Sequence, residues 1–575
     1  MAKTPLLAYL QGLTDRALAG CSPSASPLSR RDFLACAVGA TLVGCSPESE
    51  PPTVPVEARR IAIIGAGLAG LHCAYRLQQS SGGFDVTVYE ANLRLGGRVF
   101  TGSGLFADKG LSCELGGEFI ESEHATMLAL ADELGVALED RAAARAGLAD
   151  TYSVHGVEFS EDKLVAGLTS VAPTLLAALS AADDDDKAFR LLDNTTISRL
   201  LETHVPSDKY PELSLLLNVA FRAEFGMETG VLSSLNLWRL FPLDATQITH
   251  LTGNARHRLR AADGNRAFID ALLRSVRRVV SDQRLIRVAR GSEGDFELTF
   301  VSQSLVGTVV HADQIVFALP FSTLRNVDLT GVSLSDTKRS AIANLAYGSS
   351  AKLVGTFRGA PWRDRYGKSG DLVSELPAHV AWDGSRGGNQ SQSLLTTLLA
   401  GDSGARADRV DVEEAMAAAL VNLDATLGTI SDEYVDGSAV RMHWFSSPYS
   451  LGSSSAYLVM QFGSLYKTEG TPEKVDGTPE RKMHFCGEHC SVDFKGSMEG
   501  AAETGALVAA EILKDFGVPL PPPLKPLVEM KALLLQPGFS ASQSLELGIG
   551  ARRAFVAQTH REFAGPLLRR VVRAG

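Results

Sequence analysis

Positive charge is scarce in this 575-residue chain, which carries 55 lysines and arginines against 66 aspartates and glutamates, for a net charge of -11. Binding to nucleic acid requires clustered lysines and arginines that contact phosphates. The composition therefore argues against a nucleic-acid partner. The chain is also too long for one hydrophobic core, so we expect two or more domains.

Cysteines are few as well. The chain has seven, which do not form a disulfide framework in a protein of this size. Cys486 and Cys490 form a C-x3-C pair, but neither a second pair nor a matching histidine spacing accompanies it. We therefore expect no metal site and interpret these two cysteines as small buried hydrophobic residues.

Long apolar runs are missing too. No uninterrupted apolar segment reaches the roughly 20 residues that a membrane-spanning helix needs. The stretch from Phe33 to Gly44 is shorter and has the length of a signal-peptide core. It follows an arginine pair and ends directly before Cys45.

This N-terminal segment resembles a twin-arginine signal joined to a lipoprotein box. The residues that match the two patterns are Ser29, Arg30, Arg31, Phe33, Leu34 and Leu42 to Cys45. The resemblance implies export, acylation of Cys45 and a lipid anchor in the periplasm or at the cell surface. The alternative is a disordered leader with incidental arginines. Residues 1–45 are thus assigned to the signal, and the Pro- and Glu-rich segment 46–58 to a linker.

A strand, a glycine turn, a helix and a second strand follow the linker. The turn reads GAGLAG, and the second strand ends at Glu90. This order, with an acid after the second strand, is typical of a Rossmann-like dinucleotide-binding fold. Gly65 permits the tight turn, Gly67 lets the backbone approach a pyrophosphate, and Gly70 lets the helix pack on the strand. Glu90 would bind the adenosine ribose, and the neighbouring residues of the site are Ala66, Leu68, Ala69 and Ala91.

Five separated strings indicate which cofactor binds. They are GAGLAG with VYEA, RLGGRVFT, ELGGEFIE, GSSAKLVGTFRGAPW, and HWFSSPYSLGS with FCGEHCSVDFKGSMEGAAETG. Together they resemble the flavin-containing amine oxidase superfamily, which includes monoamine, polyamine and L-amino-acid oxidases. The resemblance covers about residues 59–513. Because NAD enzymes lack the GGR string, it implies FAD.

The resemblance also implies a role for individual residues. Arg98 would be the cation for the FAD pyrophosphate, and Lys352 would hold a water near flavin N5. Trp444 would lie against the flavin. For Lys352 the alternative is a solvent-facing strand lysine, and for Trp444 it is a core aromatic. The other implied FAD-binding residues are Gly96, Gly97, Leu115, Gly116, Gly117, Glu118, Gly487, Glu488, Met498 and Glu499.

The string DFKGSMEGAAETG has almost no side-chain bulk where a helix begins. The resemblance implies that the helix amides point at the N1–C2=O edge of the flavin, where negative charge develops on reduction. We interpret the small residues from Gly500 onward as making room for that edge.

The substrate side of the family pattern is only partly present. Glu121 aligns with a glutamate that polyamine oxidases present to a cationic amine, although an ordinary loop carboxylate is the alternative. Glu224 and Glu228 align loosely with another acidic position. Ser454 and Ser497 replace the aromatic pair that sandwiches the amine in monoamine oxidases, which disfavours a conventional monoamine substrate.

Two further departures concern covalent attachment and amino acids. Ser453 stands where monoamine oxidases have the cysteine that forms a thioether, so FAD should be bound non-covalently. Phe119 stands where amino-acid oxidases have an arginine for the substrate carboxylate. A simple α-amino acid is therefore disfavoured, although Arg222 or Arg239 could replace that arginine from another direction.

The sequence thus predicts an α/β flavoprotein with a Rossmann-like FAD domain and a discontinuous α+β substrate domain. The predicted ranges are 59–122, 253–328 and 442–515 for the FAD domain, 123–252 and 329–441 for the substrate domain, and 516–575 for a C-terminal tail. The first hypothesis is oxidation of an amine by hydride transfer to flavin N5, with oxygen reduced to hydrogen peroxide. The second is a dehydrogenase or desaturase of the same fold that passes electrons to a carrier. The third is a flavin-loaded surface lipoprotein without turnover.

Overall fold

The structure is a computed structural model. It describes residues 59–141, 145–238, 259–376, 380–386, 391–474, 482–534 and Glu562. The predicted signal peptide, Cys45, the linker, Arg239 and most of the C-terminal tail lie outside these residues, so the predictions about them stay predictions.

The helices of the described residues are mostly short, and polar caps begin several of them. In chain order they are α1 (Leu68–Gln78), α2 (Ala125–Leu134), α3 (Glu161–Asp184), α4 (Asp186–Asp193), α5 (Ile197–His204), α6 (Pro211–Phe225), α7 (Leu235–Trp238), α8 (Arg266–Ser275), α9 (Phe321–Leu324), α10 (Asp336–Asn344), α11 (Pro361–Asp364), α12 (Gly401–Ala405), α13 (Val412–Leu427), α14 (Phe462–Leu465), α15 (Met498–Asp515) and α16 (Lys525–Leu534). The side chains of Ser160, Thr196 and Ser335 each accept the N–H three residues ahead, which fixes the starts of α3, α5 and α10.

The strands are short as well. In chain order they are β1 (Arg60–Ile64), β2 (Asp85–Tyr89), β3 (Thr101–Ser103), β4 (Ser112–Glu114), β5 (Leu138–Asp140), β6 (Ala149–Val154), β7 (Val157–Glu158), β8 (Leu259–Ala261), β9 (Val279–Val280), β10 (Arg284–Arg290), β11 (Phe296–Val301), β12 (Gly307–Ala312), β13 (Gln314–Phe317), β14 (Asp328–Gly331), β15 (Ala346–Tyr347), β16 (Ala351–Arg358), β17 (Lys368–Ser374), β18 (Val380–Asp383), β19 (Gln392–Leu399), β20 (Val440–His443), β21 (Ser455–Ala456), β22 (Glu473–Lys474) and β23 (Lys482–Phe485).

One sheet has the strand order β22-β23-β13-β1-β2-β9, with β1 parallel to both β2 and β13. Ile61 and Ile63 pack with α1 and α15 in one core, while Ala62 and Ile64 face the other core. A strand that is buried on both faces has a continuous run of apolar residues, as β1 does. The predicted strand, glycine turn, helix and strand are confirmed.

A second sheet has the order β20-β16-β19-β18-β17-β6-β7. Its strand β16 carries Lys352 and pairs antiparallel with β19 and β20. The predicted domain boundary between residues 441 and 442 falls inside β20. Strands β11 and β12 form a hairpin, and β13 returns to the first sheet.

One helix segment in the described part of the chain, Asp162–Ala182, is long and apolar enough to cross a membrane by length and composition. Its residues Leu164, Leu168 and Leu179 are buried in the core. In all, 41% of its apolar window is buried inside the protein, and a single segment of this kind is weak evidence for a membrane span.

The cysteines that the structure describes are free and buried, and they include the C-x3-C pair, Cys486 and Cys490. Burial raises the pKa of both thiols well above the ordinary value. They therefore behave as the small hydrophobic residues that the sequence predicts.

Candidate active site

A large cavity lies at the carboxyl end of β1, between the two sheets. Most of the predicted site residues line it: Gly65, Gly67, Leu68, Ala69, Glu90, Ala91, Gly96, Gly97, Arg98, Gly116, Gly117, Glu118, Lys352, Trp444, Gly487, Glu488 and Met498. The predicted residues that do not line it are Ala66, Gly70, Leu115, Glu121 and Glu499. Five strings that are far apart in the sequence thus meet at one place.

Glycine stands at the positions of the first turn for different reasons. Gly65 has φ +114°, and a Cβ there would lie 2.6 Å from the carbonyl oxygen of Ala318. A Cβ on Gly70 would lie 2.0 Å from the carbonyl oxygen of Gly65. Packing within the protein therefore requires both. At Gly67 a Cβ would meet nothing closer than the Cα of Gly97, at 3.9 Å, so the protein alone does not require glycine there.

Glu90 holds the turn together. Its carboxylate accepts the N–H of Ala66 at 2.8 Å and the N–H of Asn92 at 2.9 Å. Burial raises its pKa in spite of these bonds. A carboxylate oxygen can accept a second hydrogen bond, so ribose binding by Glu90 stays a prediction.

Arg98 joins its own string, RLGGRVFT, to both segments of the last string. Its Nη1 donates to Glu488 Oε1 at 2.9 Å and to the carbonyl of Ser453 at 2.7 Å. Glu488 also accepts the hydroxyl of Ser455 at 2.7 Å. The ion pair orients the Arg98 guanidinium at the cavity wall, where the sequence predicts a cation for the pyrophosphate.

Glu118 is the centre of a buried ionic cluster. It lies 2.8 Å from Lys352 Nζ and 3.3 Å from Arg260 Nη1, and it accepts the indole N–H of Trp382 at 3.1 Å. Burial by itself would raise the pKa of Glu118, but the two cations outweigh it and lower the pKa to about 2. Glu118 is therefore ionised at neutral pH.

Lys352 lines the cavity. Its Nζ donates to the carbonyls of Glu114 and Gly116, both at 2.9 Å, and to Glu118 at 2.8 Å. Its predicted role in holding a water near flavin N5 stays a prediction. The lysine is also 8% exposed, which contradicts a solvent-facing side chain. In this arrangement it fixes the ELGGE string and places a charge at the cavity wall.

Trp444 is held in place by the backbone of Leu115. The indole N–H of Trp444 donates to the carbonyl of Leu115 at 2.9 Å. The contribution of Leu115 therefore comes from its backbone, which orients the tryptophan that lines the cavity. This explains why Leu115 itself does not line it.

The start of α15 corrects the interpretation of its small residues. A Cβ on Gly500 would lie 2.3 Å from the carbonyl of Phe494, and one on Gly505 would lie 2.2 Å from the carbonyl of Ala69 on α1. Close backbone packing, and not a cofactor edge, requires these glycines. Ser497 is the N-cap of α15, and its side chain accepts the N–H of Gly500 at 3.1 Å.

The family model for flavin containing amine oxidoreductases matches residues 68–513. The chain belongs to this family. It is an FAD-dependent oxidoreductase with an amine-oxidase-like fold, which confirms the predicted fold class and cofactor. The assignment leaves no support for the non-catalytic hypothesis.

Similar proteins come from several branches of the family. Polyamine oxidase 4 of Oryza sativa subsp. japonica is 25% identical over 487 residues, which are 80% of this chain and 90% of that protein. The L-amino-acid oxidase of Siganus canaliculatus is 24% identical over 480 residues, 79% and 85% of the two chains. The structure of cyclohexylamine oxidase from Brevibacterium oxydans IH-35A has a TM-score of 0.67 and 20% identity, and covers 80% of this chain and 100% of its own. This last likeness shows a shared fold.

The residues at the cavity fit FAD. Gly67 and Gly97 leave an open surface where no side chain projects, and Gly97 has φ +58°. The N-termini of α1 and α15 open on the same cavity, at Leu68 and Met498. Backbone amides at one helix start suit a pyrophosphate, and those at the other suit an electron-rich edge of the flavin.

Glu499 does not line the cavity, and its predicted part in binding FAD stays a prediction. Its carboxylate accepts the N–H of Thr126 and the N–H of Met127, both at 2.8 Å, and so caps α2. Burial and the nearby Glu503 raise the pKa of Glu499 to about 7. It acts in holding α2 against α15.

The raised pKa of Glu499 predicts a pH effect on stability. The folded state binds the proton more tightly than the unfolded state, so the free energy of unfolding falls as pH rises from about 4.5 to about 7. We expect Glu499→Gln to abolish this component, worth about 3 kcal/mol. The measurement is urea unfolding of both proteins across this range; parallel pH profiles would contradict it.

The substrate side differs from the sequence prediction. Glu121 is buried and does not line the cavity, whereas Glu224, which is 2% exposed, does. Arg222 pairs with Glu228 at 3.6 Å and does not line the cavity. Ser454 and Ser497 both line the cavity, as do the aromatic residues Phe119, Trp382, Trp444 and Tyr449.

Three residues at or behind the cavity wall carry no sequence signature of the site, and of these Trp382 lines the cavity. Trp382 and Arg260 contact Glu118 from distant segments of the chain, and no sequence motif predicts either contact. Asn265 donates to the carbonyls of Gly117 and Glu118, at 2.9 and 2.7 Å. The sequence signal for Asn265 is the DGN string directly before α8.

Proposed function

We propose that the protein oxidises an amine with an apolar substituent and uses oxygen as the electron acceptor. The supporting observation is that the FAD-binding strings and an aromatic wall with a buried carboxylate share one cavity. Bound FAD supplies the hydride acceptor, and the products are an imine, which hydrolyses to an aldehyde, and hydrogen peroxide.

The protein's part is to bind and orient the amine. Phe119 and Trp382 meet edge to face, with ring centroids 5.7 Å apart, and form a rigid apolar surface. The carboxylate of Glu224 would attract a cationic amine, the role that the sequence predicted for Glu121. The Glu118–Lys352 pair would hold the wall in place.

The second candidate is a dehydrogenase or desaturase that acts on a non-amine and uses an electron carrier. It is favoured by Ser454 and Ser497, which stand in the cavity in place of the aromatic pair. The two candidates differ in both the reductant and the oxidant of the flavin.

A substrate screen tests the proposal. The purified full-length holoprotein is supplied in air with primary alkyl and arylalkyl amines, polyamines, α-amino acids and matched alcohols, and peroxide is followed. We expect peroxide from apolar amines, little from α-amino acids and none from alcohols. Peroxide from alcohols alone would contradict the proposal, and flavin reduction without peroxide would favour the second candidate.

We also propose that FAD is not covalently attached and that the protein is exported and lipid-anchored at Cys45. Ser453 supports the first point, and the twin-arginine and lipobox patterns support the second. Acid precipitation should release all flavin into the supernatant. Cys45→Ala should move the protein from the detergent phase to the aqueous phase. Flavin in the acid pellet would contradict non-covalent binding, and unchanged partitioning of the variant would contradict the lipid anchor.

A further inference from the structure

The helix α16 lies in the predicted C-terminal tail, beyond residues 68–513 that the family model matches. It is nevertheless packed on the protein core. Leu524, directly before the helix, and Met530 are each 1% exposed. Leu524, Leu527 and Val528 pack in the same core as α1 and α15. The helix is therefore held against the two helices whose N-termini open on the cavity.

Lys531 on this helix is a buried cation. It is 8% exposed. Its Nζ donates to Asp493 Oδ2 at 2.8 Å and lies 2.8 Å from Glu503 Oε2. Burial by itself would lower the pKa of Lys531, but the charges of the two carboxylates outweigh it and raise the pKa above its ordinary value. Lys531 is therefore charged at neutral pH.

The two carboxylates belong to segments that meet at the cavity. Glu503 lies on α15, and Asp493 lies in the short loop that leads into the N-terminus of this helix. The Glu503 carboxylate also accepts the hydroxyl of Ser491 at 2.5 Å, and Ser491 Oγ accepts the N–H of Phe494 at 2.8 Å. Lys531 thus joins the loop to the helix from the side that faces away from the cavity.

The loop connects this ion pair to the cavity wall. The carbonyl of Phe494 accepts the N–H of Ser497 at 3.2 Å and the hydroxyl of Ser497 at 2.7 Å. Gly496, Ser497 and Met498 line the cavity. Two residues separate Asp493 from Gly496. A displacement of Asp493 therefore changes the position of residues that line the cavity.

We propose that Lys531 is a positioning residue for FAD, because it fixes the loop from Asp493 to Ser497 and the start of α15 in the arrangement that the cofactor binds. No described residue of α16 lines the cavity, so Lys531 acts through its two carboxylates. A binding surface that is already ordered loses less free energy when it takes up its ligand. The C-terminal helix is therefore part of the FAD site, although the family model ends before it.

The test is the dissociation constant of FAD, measured by flavin fluorescence during serial dilution of the full-length holoprotein without substrate, so the result does not depend on the amine proposed above. We expect Lys531→Met to raise this constant about tenfold, because the loop must then become ordered when FAD binds. Lys531→Arg keeps a charged donor and should recover at least half of that loss on a logarithmic scale. If Lys531→Met is insoluble, Lys531→Gln replaces it, because its amide still donates a hydrogen bond but carries no charge.

Lys482→Met is the matched control. Lys482 is also 8% exposed and pairs with Asp515 at 2.5 Å, at the other end of α15, and neither residue lines the cavity. We expect both methionine variants to lose a similar free energy of unfolding in urea, and only Lys531→Met to lose FAD affinity. The same dissociation constant in both variants would overturn the proposal. Equal losses in Lys531→Met and Lys531→Arg would also overturn it, because they would show a packing effect.

Discussion

Gly67→Val is expected to give a folded protein that contains no FAD. The backbone at Gly67 has φ -81° and ψ -179°, which any residue adopts, and the nearest atom to a new Cβ is the Cα of Gly97, at 3.9 Å. The protein therefore has room for the side chain. The cofactor has none, because the valine would project into the cavity where the backbone must approach the pyrophosphate. We expect the flavin-to-protein ratio to fall at least tenfold, with an unchanged circular dichroism spectrum of the apoprotein.

Gly230→Val is the control for this prediction. A Cβ on Gly230 would meet nothing closer than Ser198 Oγ, at 3.8 Å, and the residue does not line the cavity. The protein thus has room for a new side chain at both positions, but of the two glycines only Gly67 lines the cavity. Full flavin content in Gly67→Val, or an equal loss in both variants, would refute the assignment of this surface to FAD.

Glu118→Ala is expected to lower the free energy of unfolding by about 3–5 kcal/mol. The substitution leaves Lys352 and Arg260 buried next to each other without their shared carboxylate, and the indole N–H of Trp382 without its acceptor. Urea unfolding of the apoprotein at neutral pH measures the effect. The low pKa of Glu118 means that its contribution is fully present above about pH 4.5 and is lost as pH falls toward about 2.

The control for Glu118 is an ion pair at the surface. Glu158 lies 3.0 Å from Lys368 Nζ, but its side chain is 61% exposed. Exposed pairs contribute little, because water screens both charges. Glu158→Ala should therefore leave the unfolding midpoint unchanged. Similar losses in the two variants would show that the Glu118 cluster is no more than an ordinary pair.

The parts of the site that follow from local chain geometry were predictable from the sequence. Gly65 and Gly70 are needed by the turn itself, and the alternation of strand, turn, helix and strand gives their positions. The same holds for the carboxylate of Glu90, which lies at the end of the next parallel strand.

Contacts between distant segments were not predictable. Arg98 pairs with a glutamate 390 residues away, and the acceptors of Lys352 lie 234 to 238 residues before it, at the end of β4 and directly after it. The glycines at the start of α15 looked like space for a ligand, yet the backbones of Phe494 and Ala69 occupy that space. A sequence shows that bulk is missing; it does not show which neighbour requires its absence.

The string DFKGSMEGAAETG thus has three separate explanations. Ser497 caps the helix and lines the cavity, Gly500 and Gly505 permit close packing, and Gly496, Met498 and Ala501 also line the cavity at the helix N-terminus. The N-cap role is therefore a structural reason for a serine at position 497. The lack of an aromatic side chain at this position is a weaker argument against an amine substrate than the sequence suggested.

The most direct measurement is the anaerobic reduction of the bound flavin by an apolar amine and by the same amine deuterated at the α-carbon, followed by stopped-flow absorbance. Hydride transfer from the α-carbon predicts that the visible flavin band bleaches completely, and more slowly with the deuterated amine. A flavin that stays oxidised with every amine tested, or bleaching at equal rates with both isotopologues, would contradict amine oxidation by hydride transfer.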